Sequence, residues 1–243
     1  IICGGLAPAT CLYIPTWLAG RRIPLTMLLA LGTTAVLLTA GAVLILAFEW
    51  QGILAGLTVV DKFHNAWFQS VTLRTAGFNS VDIAGTAGPA FLLMILWMFI
   101  GGSPGGTAGG VKTTTVAVLA LTFWASATGR GEVIVHNRRV TQGTIYRAVT
   151  IIVSGMLLWI VLLLLLESTQ QIPVRDLVFE LTSAMGTVGL STGATTRLDG
   201  IGKVIIMWAM FIGRIGPMTL FMLLSEEHFS GISRCPDARI TLT

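Results

Sequence analysis

"FIGGSPGGTAGGVKTTT", residues 99–115, interrupts a chain that otherwise reads as apolar helices. Six of the ten residues from Gly101 to Gly110 are glycine, and another is Pro104. Each interior Gly costs a helix about 1 kcal/mol relative to Ala, and Pro about 3, so the stretch cannot hold a regular helix. The hydrophobic run before it, Ala87 to Ile100, is too short to span a membrane alone. It resumes afterwards as "VKTTTVAVLALTFWASA". The two halves together make one broken span, because crossing a bilayer takes about 20 apolar residues.

Composition supports a membrane setting. The chain is 54% hydrophobic and 11% charged, against about a quarter charged in soluble domains. Its net charge of +4 is scattered between hydrophobic runs, without the basic face and interleaved aromatics of a nucleic-acid binder. Cys3, Cys11 and Cys235 form no CxxC pair, and His64, His136 and His228 stand far apart. Neither a metal centre nor a structural disulfide is expected. The opening "IICGGLAPATCLYIPTWLAGRR" lacks a charged signal-peptide start and reads as the last turns of an apolar helix. The chain is accordingly expected to be the C-terminal part of a longer protein.

Leu25 to Phe48 and Tyr146 to Leu166 are full spans, and a fourth apolar run, Ile201 to Leu224, is interrupted by "GRIGP". Glu49-Trp50 closes the first span at an expected interface, where Trp is favoured. After each full span lies a segment of intermediate polarity, "VDKFHNAWFQSVTLRTAGFNSVDIAG" or "PVRDLVFELTSAMGTVGLSTGATTRLDG". Each starts amphipathic and turns into Thr, Ser, Gly and Asn. Re-entrant loops fit, since irregular backbone at membrane depth requires burial in protein or contact with water.

A shift of 112 residues lays Thr75-Ala76-Gly77-Phe78 on Thr187-Val188-Gly189-Leu190, and Met98-Phe99-Ile100-Gly101 on Met210-Phe211-Ile212-Gly213. Two motifs matching in one register indicate a duplicated unit of helix, re-entrant loop and helix. Nine basic residues (Arg21, Arg22, Lys112, Arg130, Arg138, Arg139, Arg147, Arg234, Arg239) fall on one side. Five (Lys62, Arg74, Arg175, Arg197, Lys203) fall on the other, with most of the acids. The positive-inside rule makes the first side cytoplasmic, so the loops enter from outside and the repeats run parallel. The expected fold is all-α and integral to the membrane, with tandem helix–pore-loop–helix repeats of the potassium-channel type. Residues 1–22 end a preceding unit, 23–128 form one unit and 144–224 the next. Residues 129–143 link them on the cytoplasmic side, and 225–243 form a cytoplasmic tail.

Neither "TLRTAGFNS" nor "GTVGLSTG" contains a carboxylate. Backbone carbonyls are then the available ligands, and rings of carbonyls can replace the hydration shell of a monovalent cation. Glycine admits the left-handed angles that aim them, and a preceding helix would point its partly negative C-terminus at the same place. A pair of polar turns at a helix interface is the plainer alternative, which the duplication disfavours.

At this point the motifs resemble the Trk/Ktr/HKT superfamily of potassium transporters, nearest to the Ktr-type membrane subunit (KtrB). "SVTLRTAGFNS" resembles the third pore loop of that family, and "SAMGTVGLSTG" the fourth. "FIGGSPGGTAGGVKTTT" resembles the broken helix of the third unit, and "MFIGRIGPMTL" the second helix of the fourth. The resemblance implies potassium uptake through a filter at Thr75, Ala76, Gly77, Phe78, Thr187, Val188, Gly189 and Leu190. It implies a gate made of Gly101, Gly102, Ser103, Pro104, Gly105, Gly106, Thr107, Ala108, Gly109 and Gly110, with Arg214 as a barrier beneath the filter contacting loop carbonyls. It further implies a bacterial inner-membrane protein, a homodimer with the tail at its interface, and a missing N-terminal half completing the pore. A cytoplasmic nucleotide-binding ring subunit of the KtrA/TrkA type would attach on the linker face. No bound cofactor is implied beyond transported potassium, with sodium as an activator.

Other readings fit less well. Lys112 follows Val111, so the glycine stretch is no nucleotide-binding P-loop, and six glycines exceed what a kink requires. A secondary transporter with inverted repeats, moving sodium or another small solute, would need antiparallel repeats and intramembrane carboxylates. Ser103 and Ser183 lack a histidine at membrane depth to serve as base, so no enzyme is expected. Arg214 stands mid-span, where an unpaired Arg costs roughly 2.5–3.5 kcal/mol, and should face the bundle interior. Arg74 is expected near the outer pore helix as an anchor, and "GRGEVIVHNRRVTQG" as either a solvated linker or a docking surface.

Overall fold

The computed structural model describes residues 1–21, 23–135 and 138–216. Arg22, His136, His228, Arg234, Cys235 and Arg239, the end of the fourth apolar run (217–224) and the tail 225–243 lie outside the described residues.

The structure is predominantly helical. Two helices are long and apolar enough to cross a membrane among the described residues: α3 (Leu25–Glu49) and α7 (Gln142–Thr169). At 1.5 Å per residue, the 28-residue α7 is roughly 42 Å long. Its surface carries Val149, Val153, Leu157, Ile160, Val161, Leu164 and Leu165 exposed, an apolar stripe that suits lipid and not water.

The glycine-rich stretch divides α5 (Gly88–Phe99) from α6 (Thr113–Ala127). A single parallel bridge, Ile100 with Val111, closes it into a loop. The opening helix is also broken: α1 (Ile2–Gly5) and α2 (Pro8–Leu18) are separated at Leu6-Ala7. The last turns of one helix were expected here. Pro8 accounts for the break, because a residue before proline is driven to extended backbone, and Ala7 lies at φ −63°, ψ 142°. Gly4-Gly5 are separated from Pro8 by two residues and Gly101-Gly102 from Pro104 by one, and the two breaks clasp each other. Ser103 N–H donates to the Gly5 carbonyl at 2.9 Å, and Thr107 Oγ1 to the Gly4 carbonyl at 2.9 Å.

Each polar segment opens with a short helix, α4 (Val59–Thr72) or α8 (Val174–Met185). Thr58 caps α4 by accepting from Asp61 N–H at 3.3 Å, a bond that satisfies one orphan donor of the first turn. A 3₁₀ turn (Ala194–Arg197) then leads to α9 (Gly200–Ile215), which ends at Gly216 with φ 90°. The left-handed terminus suits glycine.

The linker departs from an all-α fold. Ile134–Val135 (β1) pairs antiparallel with Arg138–Arg139 (β2). Val133 and Val140, flanking the ribbon, are buried against Val118, Ala125 and Ala148 of the adjoining helices. β-branched residues favour a half-buried strand here, and Arg139 pairs with Glu132 at 3.0 Å on the exposed side.

One core cluster joins distant parts of the chain: Ile45, Leu73, Phe91, Met94 and Met98 pack with Phe179, Val188 and Leu190. Phe91 and Phe179 hold their ring centroids 5.0 Å apart, within the favourable range for offset aromatic pairs. A separate cluster fixes α8 between α7 and α9 through Leu162, Leu166, Leu177, Leu181, Ala209 and Ile212.

Glu49 is not at a surface: it is fully buried. One carboxylate oxygen accepts from Ile53 N–H at 3.0 Å, the other from Ala87 N–H at the start of α5 at 2.8 Å. The carboxylate thereby joins the end of α3 to the start of α5. Trp50 beside it is partly exposed and carries Lys62 4.6 Å above its ring.

Candidate functional site

α4 and α8 both stop where the chain turns left-handed. Thr75 has φ 64° and Gly77 φ 77°; Thr187 has φ 54° and Gly189 φ 94°. The two segments therefore share a pattern of left-handed first and third residues, in register with the sequence repeat. For a β-branched residue this is an outlier of the kind found at turns or strained sites. In an ordinary strand successive residues alternate sides; a left-handed residue interrupts that alternation and lets neighbouring carbonyls face one way.

Local hydrogen bonds hold both turns. Thr72 Oγ1 accepts from Phe78 N–H at 2.8 Å, and Ser183 Oγ accepts from Gly189 N–H at 3.1 Å. Val188 N–H reaches back to the Ser183 carbonyl at 2.8 Å. The segments abut at their glycines. A Cβ on Gly77 would overlap the Val188 carbonyl, whereas one on Gly189 would sit 3.6 Å from the Cα of Gly77.

Behind the second segment, α8 supplies two acids. Glu180, buried, accepts from Ser191 and, at 2.8 Å, from Thr195. Asp176 accepts from Thr192 at 3.2 Å and pairs with Arg197 at 2.5 Å. These contacts fasten the chain that follows Leu190 to the helix that precedes Thr187. Outside the spans, Asp199 caps α9 by accepting from Gly202 N–H at 2.7 Å and from Gln170 Nε2 at 2.6 Å. Those two bonds hold its carboxyl below the usual carboxylate range.

The glycine-rich loop lies against this assembly. Gly109 N–H donates to Thr187 Oγ1 at 2.9 Å. Arg214 donates to the Thr107 carbonyl, and Lys112 Nζ to the adjacent Ala108 carbonyl at 2.5 Å. An open cavity of about 620 Å³ brings Thr187, Gly189, Glu180, Ser191 and Arg214 to one wall. Close backbone approach explains why glycine is used. At Gly101 a Cβ would overlap the Gly109 carbonyl, and at Gly109 the Thr187 side chain.

Arg74, expected as an anchor near the pore helix, lies just past the end of α4. It is buried, and its guanidinium donates to Thr34 Oγ1 of α3 and to the Gly101 carbonyl, both at 3.3 Å. Sequence reading also missed Glu49 as a joint, the Thr187–Gly109 contact and the second break at Leu6-Ala7. Only the last carried a signal, in a Gly-Gly pair followed shortly by Pro8. Residues 75–78, 187–190, 101–110 and Arg214 are brought into one neighbourhood.

Comparison with known proteins follows the same outline. A TrkH family model, described as "Cation transport protein", matches residues 20–233. The chain is 37% identical over 94% of its length to the potassium/sodium uptake protein NtpJ of Enterococcus hirae, covering 52% of that protein. It is 37% identical over 90% of its length to Ktr system potassium uptake protein B of Bacillus subtilis, and 39% over 86% to that of Vibrio alginolyticus. It covers 48% and 46% of those two. The chain thus spans about half the length of the curated relatives it matches. Its fold is similar to the crystal structure of the potassium transporter TrkH from Vibrio parahaemolyticus, with a TM-score of 0.68 at 20% identity, covering 84% of this chain and 45% of that one. The chain belongs to the TrkH family of cation transport proteins.

Proposed function

We propose that this chain forms half of a potassium-uptake pore, with residues 75–78 and 187–190 as two walls of a carbonyl-lined filter. The observation that carries the reading is the duplicated left-handed pair, Thr75 with Gly77 and Thr187 with Gly189. Carbonyls turned to one side by such backbone replace the water shell of a dehydrated monovalent cation. The absence of a carboxylate within either segment suits an ion that must also leave. Relatives named for potassium uptake, and one for potassium and sodium, support potassium as the main cation with sodium as its nearest competitor or activator.

In this account the Gly101–Gly110 loop obstructs the path below the filter. Arg214, held on the Thr107 carbonyl, sets a positive barrier where a dehydrated cation would pass. The remaining walls come from segments outside this chain. The repeats run parallel, the linker faces the cytoplasm, and the assembly is a dimer carrying a cytoplasmic nucleotide-binding ring. The β1–β2 ribbon gives that ring a structured surface to dock on.

The test is rubidium uptake by the full-length protein in cells lacking their own potassium uptake. Gly189→Asp is expected to abolish uptake, and deletion of residues 103–109 to raise it. Undiminished uptake by well-expressed Gly189→Asp protein would overturn the filter assignment.

A further inference from the structure

The glycine-rich loop is tied to both left-handed segments, at opposite ends. Near its start, the Gly101 carbonyl accepts from Arg74, the residue immediately before Thr75. Near its end, Gly109 N–H donates to the hydroxyl of Thr187, the first residue of the other segment. Both ties fall on one closed ring of backbone, since Gly101 N–H bonds the Val111 carbonyl at 2.9 Å and Val111 N–H the Phe99 carbonyl at 3.1 Å.

The contacts are specific. Arg74 is buried, and among the described residues it has no carboxylate partner; its Nε has no hydrogen-bond partner. A buried guanidinium with so few acceptors depends heavily on each one it has. Thr187 sits in backbone that a β-branched residue seldom adopts, and conformations of that kind persist only where surrounding contacts over-determine them. Its hydroxyl accepts the hydrogen bond that the loop donates to the strained residue.

Resting on the pore reading, we propose that Thr187 and Arg74 are positioning residues that couple the loop to the filter. While the loop is docked, Gly109 holds Thr187, the first residue of one filter segment, and Gly101 holds Arg74, the residue just before the other. When the loop leaves, both holds are lost together. The loop is then more than an obstruction: its displacement also relaxes the geometry that selects the ion. Conversely, a filter that loses its end of a tie should release the loop.

The experiment uses the full-length protein in vesicles, with native cysteines replaced and Thr107→Cys in the exposed part of the loop as reporter. The rate of modification by a membrane-impermeant thiol reagent is measured with and without Thr187→Val, which keeps the shape and removes the acceptor. The expected result is at least fivefold faster modification, together with a lowered rubidium-to-sodium uptake ratio. Thr187→Ser, which keeps the hydroxyl that accepts from Gly109, should leave the modification rate within twofold of the parent. Arg74→Lys, which keeps the charge but shortens the side chain and replaces the guanidinium whose one terminal nitrogen carries both bonds, serves as the second variant and should accelerate modification as well. Unchanged rates in both Thr187→Val and Arg74→Lys, in a parent that takes up rubidium, would overturn the coupling and leave the pore reading standing. A parent that takes up no rubidium would instead overturn the pore reading, and the coupling that rests on it.

Discussion

Thr75 and Thr187 stand 112 positions apart in the chain and adopt the same uncommon backbone, with φ at 64° and 54°. A glycine of positive φ follows two residues later in each case, at 77° and 94°. Strain of this kind costs on the order of 1–3 kcal/mol per residue. Its recurrence in register with a sequence repeat ties it to what the two segments do together.

The two glycines are predicted to differ in tolerance. Both have left-handed φ, which costs Ala roughly 1–2 kcal/mol. Only at Gly77 does a Cβ also overlap backbone, at the Val188 carbonyl. Gly77→Ala should therefore lower thermal stability and uptake more than Gly189→Ala. Parallel melting and uptake measurements check the order, and equal losses would contradict it.

Glu49 is predicted to be a structural joint. Glu49→Ala would strand the N–H groups of Ile53 and Ala87, at about 1–3 kcal/mol for each donor left unsatisfied. Glu49→Gln, retaining one acceptor oxygen, should lose less. Thermal unfolding of the detergent-purified protein reads the difference, and a Glu49→Ala protein as stable as its parent would refute the role.

Helix packing gives a paired prediction. At Gly213 a Cβ would overlap the Met185 backbone, where α9 crosses the end of α8. Nothing lies within 4 Å of a Cβ at Gly32, in the N-terminal third of α3. Gly213→Ala should destabilise, whereas Gly32→Ala should stabilise by roughly 0.5–1 kcal/mol through helix propensity alone. Melting temperatures moving in opposite directions are the expected outcome.

Much of this was legible from residue order. Apolar length placed α3 and α7, glycine and proline placed the break between α5 and α6, and the 112-residue shift paired the two polar segments. What stayed hidden depends on tertiary approach. The sequence places Glu49 at a helix end, but only the return of Ala87 beside it makes the carboxylate a buried acceptor. Arg74 sits next to Thr75 in sequence, yet its long side chain reaches Gly101, 27 positions away. The β1–β2 ribbon was missed because a two-residue strand carries too little periodicity to stand out from a basic linker.

Asp199 supplies a pH dependence. Its carboxylate is held low by Gly202 N–H and the Gln170 amide, so folding favours the charged form. That contribution is complete above the unfolded-state value and is lost as pH falls through the lower folded value, below about pH 4. Asp199→Asn, which keeps an acceptor for the cap without titrating, should flatten the acid limb of the stability profile. An unchanged acid limb would count against the cap.

The most direct test of the pore itself is rubidium uptake by the full-length protein carrying Gly189→Asp, compared with its parent at matched expression. The account predicts robust uptake by the parent and none by the variant, because a carboxylate among the backbone carbonyls would trap the cation and a side chain at φ 94° is strained. Equal uptake by both proteins would contradict it.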